Sequence, residues 1–196
     1  MTTGPLRAAD YRRMRWQNGG GWTTELAASR QSPEAPFDWR ISIADVESDG
    51  AFSTFPGCDR HIALLDGAGM ELEFDEAPSL RLDQRLKFQR FAGEWNARGR
   101  LLGGPVRDFN VIVRRDAVSA DVLHRPLVGP MLFLHDPATT WFVYLLSGHA
   151  ELKNADGASV AAHESLLLEA DSKARNRVLS GSGEVVLVRL VRQAGA

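Results

Sequence analysis

The sequence predicts an all-β chain built as two copies of one barrel, and three observations carry that reading. Short segments alternate apolar and polar residues with period two, the signature of half-buried strands. Pro and Gly recur at short intervals, and no segment of twelve or more residues keeps a helical period, which favours a sandwich or barrel. The chain also echoes itself. Leu64-Leu65-Asp66-Gly67 resembles Leu145-Leu146-Ser147-Gly148, and the stretch Leu101 to Arg115 resembles Val178 to Arg192 in the same order. At least ten strands and little helix are expected. The boundary falls near residues 118–130, where His124-Arg-Pro-Leu-Val-Gly-Pro130 interrupts the strand pattern. The expected units are therefore 1–120 and 121–196.

In chain order, the N-terminal Met1 to Arg7 lacks the apolar core of a secretory signal. No run approaches the roughly 20 apolar residues of a membrane span, so a cytoplasmic protein is expected. Next comes Met14 to Leu26, where three consecutive glycines, Gly19 to Gly21, are bracketed by Trp16 and Trp22 and flanked by Asn18, Thr23, Thr24 and Glu25. The spacing fits neither a dinucleotide fingerprint nor a phosphate loop. Two readings stay open: the glycine-rich edge of a polar, aromatic-walled pocket, or a plain turn between two strands. Asp38 to Ala44 alternates Trp39, Ile41 and Ile43 with Arg40, Ser42 and Ala44, so Arg40 and Ser42 share a face. A Pro56-Gly57 turn leads through Cys58, Asp59 and Arg60 to a strand at His61 to Leu65. Asp66 to Gly69 turns the chain, and Met70 to Phe74 continues. Phe109 to Arg114 alternates again, with Asn110, Ile112 and Arg114 on one face.

The segment WQNGGGWTTELA (Trp16 to Ala27) is similar to the signature of the HutD/Ves family. Three further blocks match it in order: Phe37 to Leu72, the FAGEW neighbourhood at Phe91 to Trp95, and GGPVRDFNVIVRR at Gly103 to Arg115. The resemblance is dense over residues 14–115 and thins from about residue 120. It implies a bicupin, two tandem cupin-like β-barrels in one chain. It also implies a role beside histidine catabolism, in which a small formylated acid such as N-formylglutamate is bound rather than transformed.

Composition narrows the partners. Net charge is −2, from 23 Lys+Arg against 25 Asp+Glu, so no basic footprint suggests nucleic acid. One cysteine rules out an internal disulfide. Cys58 lies beside Asp59, whose charge would raise a thiol pKa, so nucleophilic use of it is not expected. Cupins that hold a metal need histidines one residue apart on a strand. None of His61, His124, His135, His149 and His163 is so placed, and neither a metal nor a cofactor is expected. No serine stands in a nucleophile-elbow pattern either.

Arginines facing a barrel interior are the sharper signal, because guanidinium stays charged and grips a carboxylate with a planar fork. Arg60 and Arg40 are the candidates, set against the plainer reading in which each pairs with Asp59, Asp108 or Glu25. Asn110 suits a formyl or amide group. Asp108 is either an orienting partner of an arginine or a turn cap before the strand. The second-copy counterparts of Asp108 and Asn110 are Val185 and Leu187, which makes the first barrel the binding candidate. The expected ligand-binding residues are Arg60, Asn18, Arg40, Ser42, Asn110, Asp108, Glu25 and Trp16. The expected function is a non-enzymatic, regulatory binder of a small anionic metabolite. A metal-free isomerase, lyase or hydrolase with Glu25 or His61 as proton carrier is the alternative. A homodimer is a candidate assembly on base rate.

Overall fold

The computed structural model describes residues 4–30, 35–153, 158–169 and 176–193. Strands dominate, and among the described residues there is no α-helix, only one 3-10 turn at Ala8–Asp10. The first six strands are β1 (Gly4–Leu6), β2 (Arg12–Arg15), β3 (Gly21–Arg30), β4 (Phe37–Val46), β5 (Gly50–Phe52) and β6 (Cys58–Asp66). Next come β7 (Met70–Phe74), β8 (Leu80–Leu82), β9 (Gln89–Ala92), β10 (Ala97–Leu101) and β11 (Val106–Arg114). The last five are β12 (Val118–Phe133), β13 (Thr139–Lys153), β14 (Ser159–Ala161), β15 (Ser165–Leu168) and β16 (Arg177–Arg192). The strands expected at Asp38–Ala44, His61–Leu65, Met70–Phe74 and Phe109–Arg114 lie within β4, β6, β7 and β11.

Residues 11–117 form one unit. It holds a sheet in the order β2-β3-β4-β11-β6-β9 and a second in the order β5-β10-β7-β8. An apolar cluster draws from both: Ala44 and Val46, Ile62 and Leu64, Val106 and Phe91 on the larger sheet, and Met70, Leu72 and Leu82 on the smaller. Ile62, Met70 and Leu72 are fully buried, each contributing about 1.5–3 kcal/mol by removal from water. The other face of the larger sheet, Trp39, Ile41, Ile43, Phe109, Val111 and Val113, is buried as well. With both faces closed, every polar residue on the central strands stands out.

The second unit joins residues 118–196 with residues 1–10. It differs from the expected division at 120 because the N-terminal segment belongs here. Gly4–Leu6 pairs antiparallel with Ser165–Leu167, and Arg7 Nη1 meets Glu164 Oε2 at 2.5 Å. A three-residue strand reading Gly-Pro-Leu carries no pattern by which a sequence could assign it. The sheet runs β1-β15-β13-β16-β12, with β14 on β13. Its core is mostly aliphatic, with Val143, Leu145, Leu152, Leu166, Val185 and Leu187 among its members and Phe133 beside them.

The internal echo recurs in the hydrogen-bond register. Leu64 pairs with Asp108 and Ile62 with Asn110, as Leu145 pairs with Val185 and Val143 with Leu187. One strand then bulges at matching places: Asp66 next opposes Arg107, and Ser147 next opposes Glu184. The corners match too. Leu86 N–H donates to Leu64 O at 2.8 Å, and His163 N–H to Leu145 O at 2.7 Å. Leu86 and His163, with φ of 61° and 69°, are the non-glycine residues in the left-handed region among the described residues.

Candidate functional site

Alternation along three adjacent strands builds the site. Arg40, Ser42 and Ala44 of β4, Asp108, Asn110 and Ile112 of β11, and Arg60, Ile62 and Leu64 of β6 share one face of the larger sheet. Ser42, Asn110 and Ile62 form one cross-strand row, and Arg40, Ile112 and Arg60 the next. The two arginines thus sit two strands apart, about 10 Å at the backbone. They wall a cavity of about 570 Å³, lined also by Met14 to Asn18, Thr23, Ser42, Ala44, Ala51, Phe52, Ser53, Phe55 and Asn110. That volume suits a small molecule with its water.

Arg60 is only 4 % exposed. Its Nη1 donates to Ser53 O at 3.2 Å and its Nη2 to Asn110 Oδ1 at 3.0 Å. Its Nε has no hydrogen-bond partner. Three rings hold the guanidinium: Phe91 at 4.9 Å, Phe55 at 5.5 Å and Phe52 at 5.6 Å from Cζ. Burial pulls its pKa down to about 10, opposed by the charge of Asp108 and reinforced by Arg40. Arg40 lies over Phe55 at 5.0 Å and Phe37 at 5.2 Å. Its Nε is also without a partner, and burial, partly offset by Glu25, lowers its pKa.

Asp108 stands behind this wall. It is wholly buried, its Oδ1 accepts from Asn110 Nδ2, and its Oδ2 has no partner. Burial pushes its pKa up to about 7, against the opposing influence of Arg60 and of the Asn110 hydrogen bond. The relay Asp108–Asn110–Arg60 therefore fixes the guanidinium through a neutral amide. Of the two roles open to Asp108, orienting an arginine fits, and turn capping does not, since it lies within β11.

The remaining sequence candidates divide. Trp16 lines the cavity, donates its indole N–H to Thr23 Oγ1 at 2.8 Å and meets Phe52 edge-on at 5.7 Å. Asn18 also lines it, but its Oδ1 accepts from Gly20 N–H at 3.0 Å. Gly19 N–H donates to Trp16 O, and Trp16 N–H to Gly21 O, each at 3.0 Å. The glycines thus make the turn between β2 and β3, and their neighbours, not they, line the pocket. Glu25 does not line it; it pairs with Arg30 at 2.5 Å. Asn110 lines the cavity while its Oδ1 accepts from Arg60 and its Nδ2 donates to Asp108, and its row neighbour Ser42 lines the cavity as well. Cys58 is buried, and burial, more than any charge, raises its pKa. Asp59, to which the sequence reading gave that role, is occupied by Arg90 at 2.6 Å and Arg115 at 2.8 Å.

Sequence reasoning did not place Phe52, Phe55 and Phe91, or the Ser53 carbonyl, at the site. The run Ala51-Phe-Ser-Thr-Phe-Pro56, two aromatics ahead of the Pro-Gly turn, was an available signal for the ring cage. A backbone acceptor has none. Among the described residues no group of three or more His, Cys, Asp or Glu is placed to hold a metal ion.

A family model described as HutD matches residues 8–187. An uncharacterized 21.2 kDa protein in the hutC 3' region of Pseudomonas putida is 41 % identical over 152 residues, which span 76 % of this chain and 77 % of the relative. The structure of HutD from Pseudomonas fluorescens SBW25 in a formate condition superposes with a TM-score of 0.82 at 31 % identity, covering 98 % of this chain and 100 % of that one. Bacterial pirin YhhW from Escherichia coli, in complex with nickel(II), superposes at 0.75 over 98 % of this chain and 100 % of its own, but at 9 % identity. That likeness concerns the cupin-like fold alone.

Proposed function

The chain belongs to the HutD family, and on that premise we propose that it binds a small carboxylate, such as N-formylglutamate, as a regulatory protein of histidine catabolism. One observation carries the reading: a buried guanidinium on a cavity wall whose hydrogen bonds go to neutral oxygens and whose Nε is unmatched. A buried charge is costly unless an opposite charge compensates it. Asp108 reaches Arg60 by its charge and through the Asn110 amide, and burial disfavours that charge. A ligand carboxylate would supply the missing partner, with Arg40 across the row for a second acidic group. The relative in the hutC 3' region supports the pathway.

Binding without turnover is favoured by what lines the cavity. Among the described residues that line it there is no carboxylate, histidine, cysteine or lysine, so none of them is an ordinary general acid or base. Glu25 is tied to Arg30 elsewhere. Isothermal titration with N-formyl-L-glutamate, glutamate, urocanate and formate, followed by NMR of the recovered solution, tests both halves. Micromolar-to-millimolar binding of an intact acid is the expected result. Absence of binding by every acid at millimolar concentration would sink the proposal, and consumption of the acid would move the protein to the enzymes.

A further inference from the structure

The two repeats differ at one sheet edge. In residues 11–117 the outer edge of β4 is covered by β3, from Gly21 opposite Val46 to Arg30 opposite Phe37. The counterpart of β4 is β12, since Leu123 opposes Leu187 where Ser42 opposes Asn110. A second β3 would have to come from the chain just before β12. That chain is β11, already used at the centre of the first unit. Among the described residues β12 accordingly ends its sheet, with no strand beyond it. A free edge of this kind is a template for another strand.

The side chains along that edge say which strand. Leu123 is one of the few large apolar residues more than a third exposed, at 38 %. Two residues before it stands Asp121, whose side chain is 66 % exposed and meets Arg189 at 3.5 Å. Two residues after it stands Arg125, exposed, its Nη1 donating to the adjacent His124 carbonyl at 2.9 Å. All three point to the same side of the strand.

We propose that two copies of this chain join antiparallel along β12, about a two-fold axis through Leu123. Leu123 then meets Leu123 of the other copy, and Asp121 of each copy faces Arg125 of the other. Isologous contacts of this kind close as a dimer. Register is set by charge: an axis at Asp121 or Arg125 would oppose like charges, and an axis at Val122 would leave Asp121 facing a leucine. The prolines agree. Pro126 and Pro130 are four residues apart and turn the same way, and a proline within a ladder keeps its missing N–H on the open side. Ala120, Val122 and His124 therefore present their N–H and C=O groups outward. Val122 and His124 exchange hydrogen bonds between copies, Ala120 donates to the Pro126 carbonyl, and Pro126 ends the ladder. Leu123 falls in the close, non-hydrogen-bonded position, where side chains approach most nearly.

Sedimentation equilibrium of the full chain from about 1 to 500 μM tests the proposal, with circular dichroism as the check of fold. Wild type dimerises. Asp121→Arg and Arg125→Asp each set like charges across the axis twice and weaken the dimer about 10- to 100-fold. An equimolar mixture of the two variants restores both opposite-charge pairs and associates as a heterodimer. Leu123→Glu, independent of either salt pair, weakens the dimer in the same way. A wild type that stays monomeric over the whole range overturns the proposal. So does a dimer indifferent to the folded variants, or a mixture that fails to recover.

Discussion

Arg60 is the one buried basic residue among the described residues, and its fate on substitution separates a ligand arginine from a structural one. Arg60→Ala removes a charge-assisted fork from a dry wall, a loss of about 2–4 kcal/mol, or roughly 30- to 1000-fold in carboxylate affinity. Arg60→Lys recovers only part, because a single ammonium cannot reproduce the planar fork. Titration calorimetry on variants with native circular dichroism reads this directly, and unchanged affinity in Arg60→Ala would place the site elsewhere. Asp108 offers a second residue-scale test. Its folded pKa of about 7 exceeds the unfolded value of 3.8, so between those values the folded protein binds a proton that the unfolded chain does not. The stability contribution is present below pH about 4 and is lost as pH rises through about 7. Asp108→Asn cannot titrate, so its urea-denaturation stability should fall less than that of wild type between pH 5 and pH 8. Equal slopes would mean that Asp108 is ionised throughout. Both arginines and Ser42 were legible because period-two alternation fixes a face whatever the fold. That Asp108 could orient an arginine was legible as well, but its route through Asn110 was not, because the two lie two residues apart in one strand and only packing shows that one bonds the other.

At the scale of elements, the triple glycine shows where sequence and structure part. Glycine runs signal either a backbone in the left-handed region or a close approach, and the hairpin between β2 and β3 uses one of each. Gly19 has φ of 72° with open space around its Cα, whereas a Cβ on Gly21 would lie 2.3 Å from the Asp45 carbonyl oxygen. The two substitutions should therefore differ. Gly19→Ala costs about 1 kcal/mol of backbone strain, and Gly19→Asn less, since asparagine tolerates that conformation. Gly21→Ala must part β3 from β4 and costs about 2–3 kcal/mol, in the range of overpacking. Thermal denaturation ranks them, and a Gly21→Ala variant as stable as Gly19→Asn would show that the hairpin gives way easily. Because Trp16 to Asn18 line the cavity, Gly21→Ala should also weaken the ligand. The strands of the centre were readable from alternation. β1, β5 and β8, three residues each, were not, since three residues cannot display a period and owe their conformation to the strand beside them.

Across the whole molecule, duplication is the deepest regularity, and the sequence carried it as two short echoes. The echoes were visible because leucine pairs and glycine turns persist where the backbone bulges. The matching corners were not, because among the described residues the non-glycine ones in the left-handed region are Leu86 and His163, and neither marks that conformation as glycine does. The same backbone demand therefore falls on two unlike side chains, and substitution should give effects of opposite sign. A non-glycine residue there carries about 1–2 kcal/mol of strain, while glycine adds about 0.5–1 kcal/mol of unfolded-chain entropy. His163 is exposed, so His163→Gly loses no packing and should be neutral or stabilising by up to about 1 kcal/mol. Leu86 is 7 % exposed, so Leu86→Gly relieves the same strain but gives up a buried side chain and, with it, about 2–5 kcal/mol. The net loss should be about 1–4 kcal/mol. Chemical denaturation of both variants measures the contrast. If His163→Gly destabilises by more than about 1 kcal/mol, that corner is held by contacts of the imidazole, and the two repeats share a backbone shape without sharing its cause.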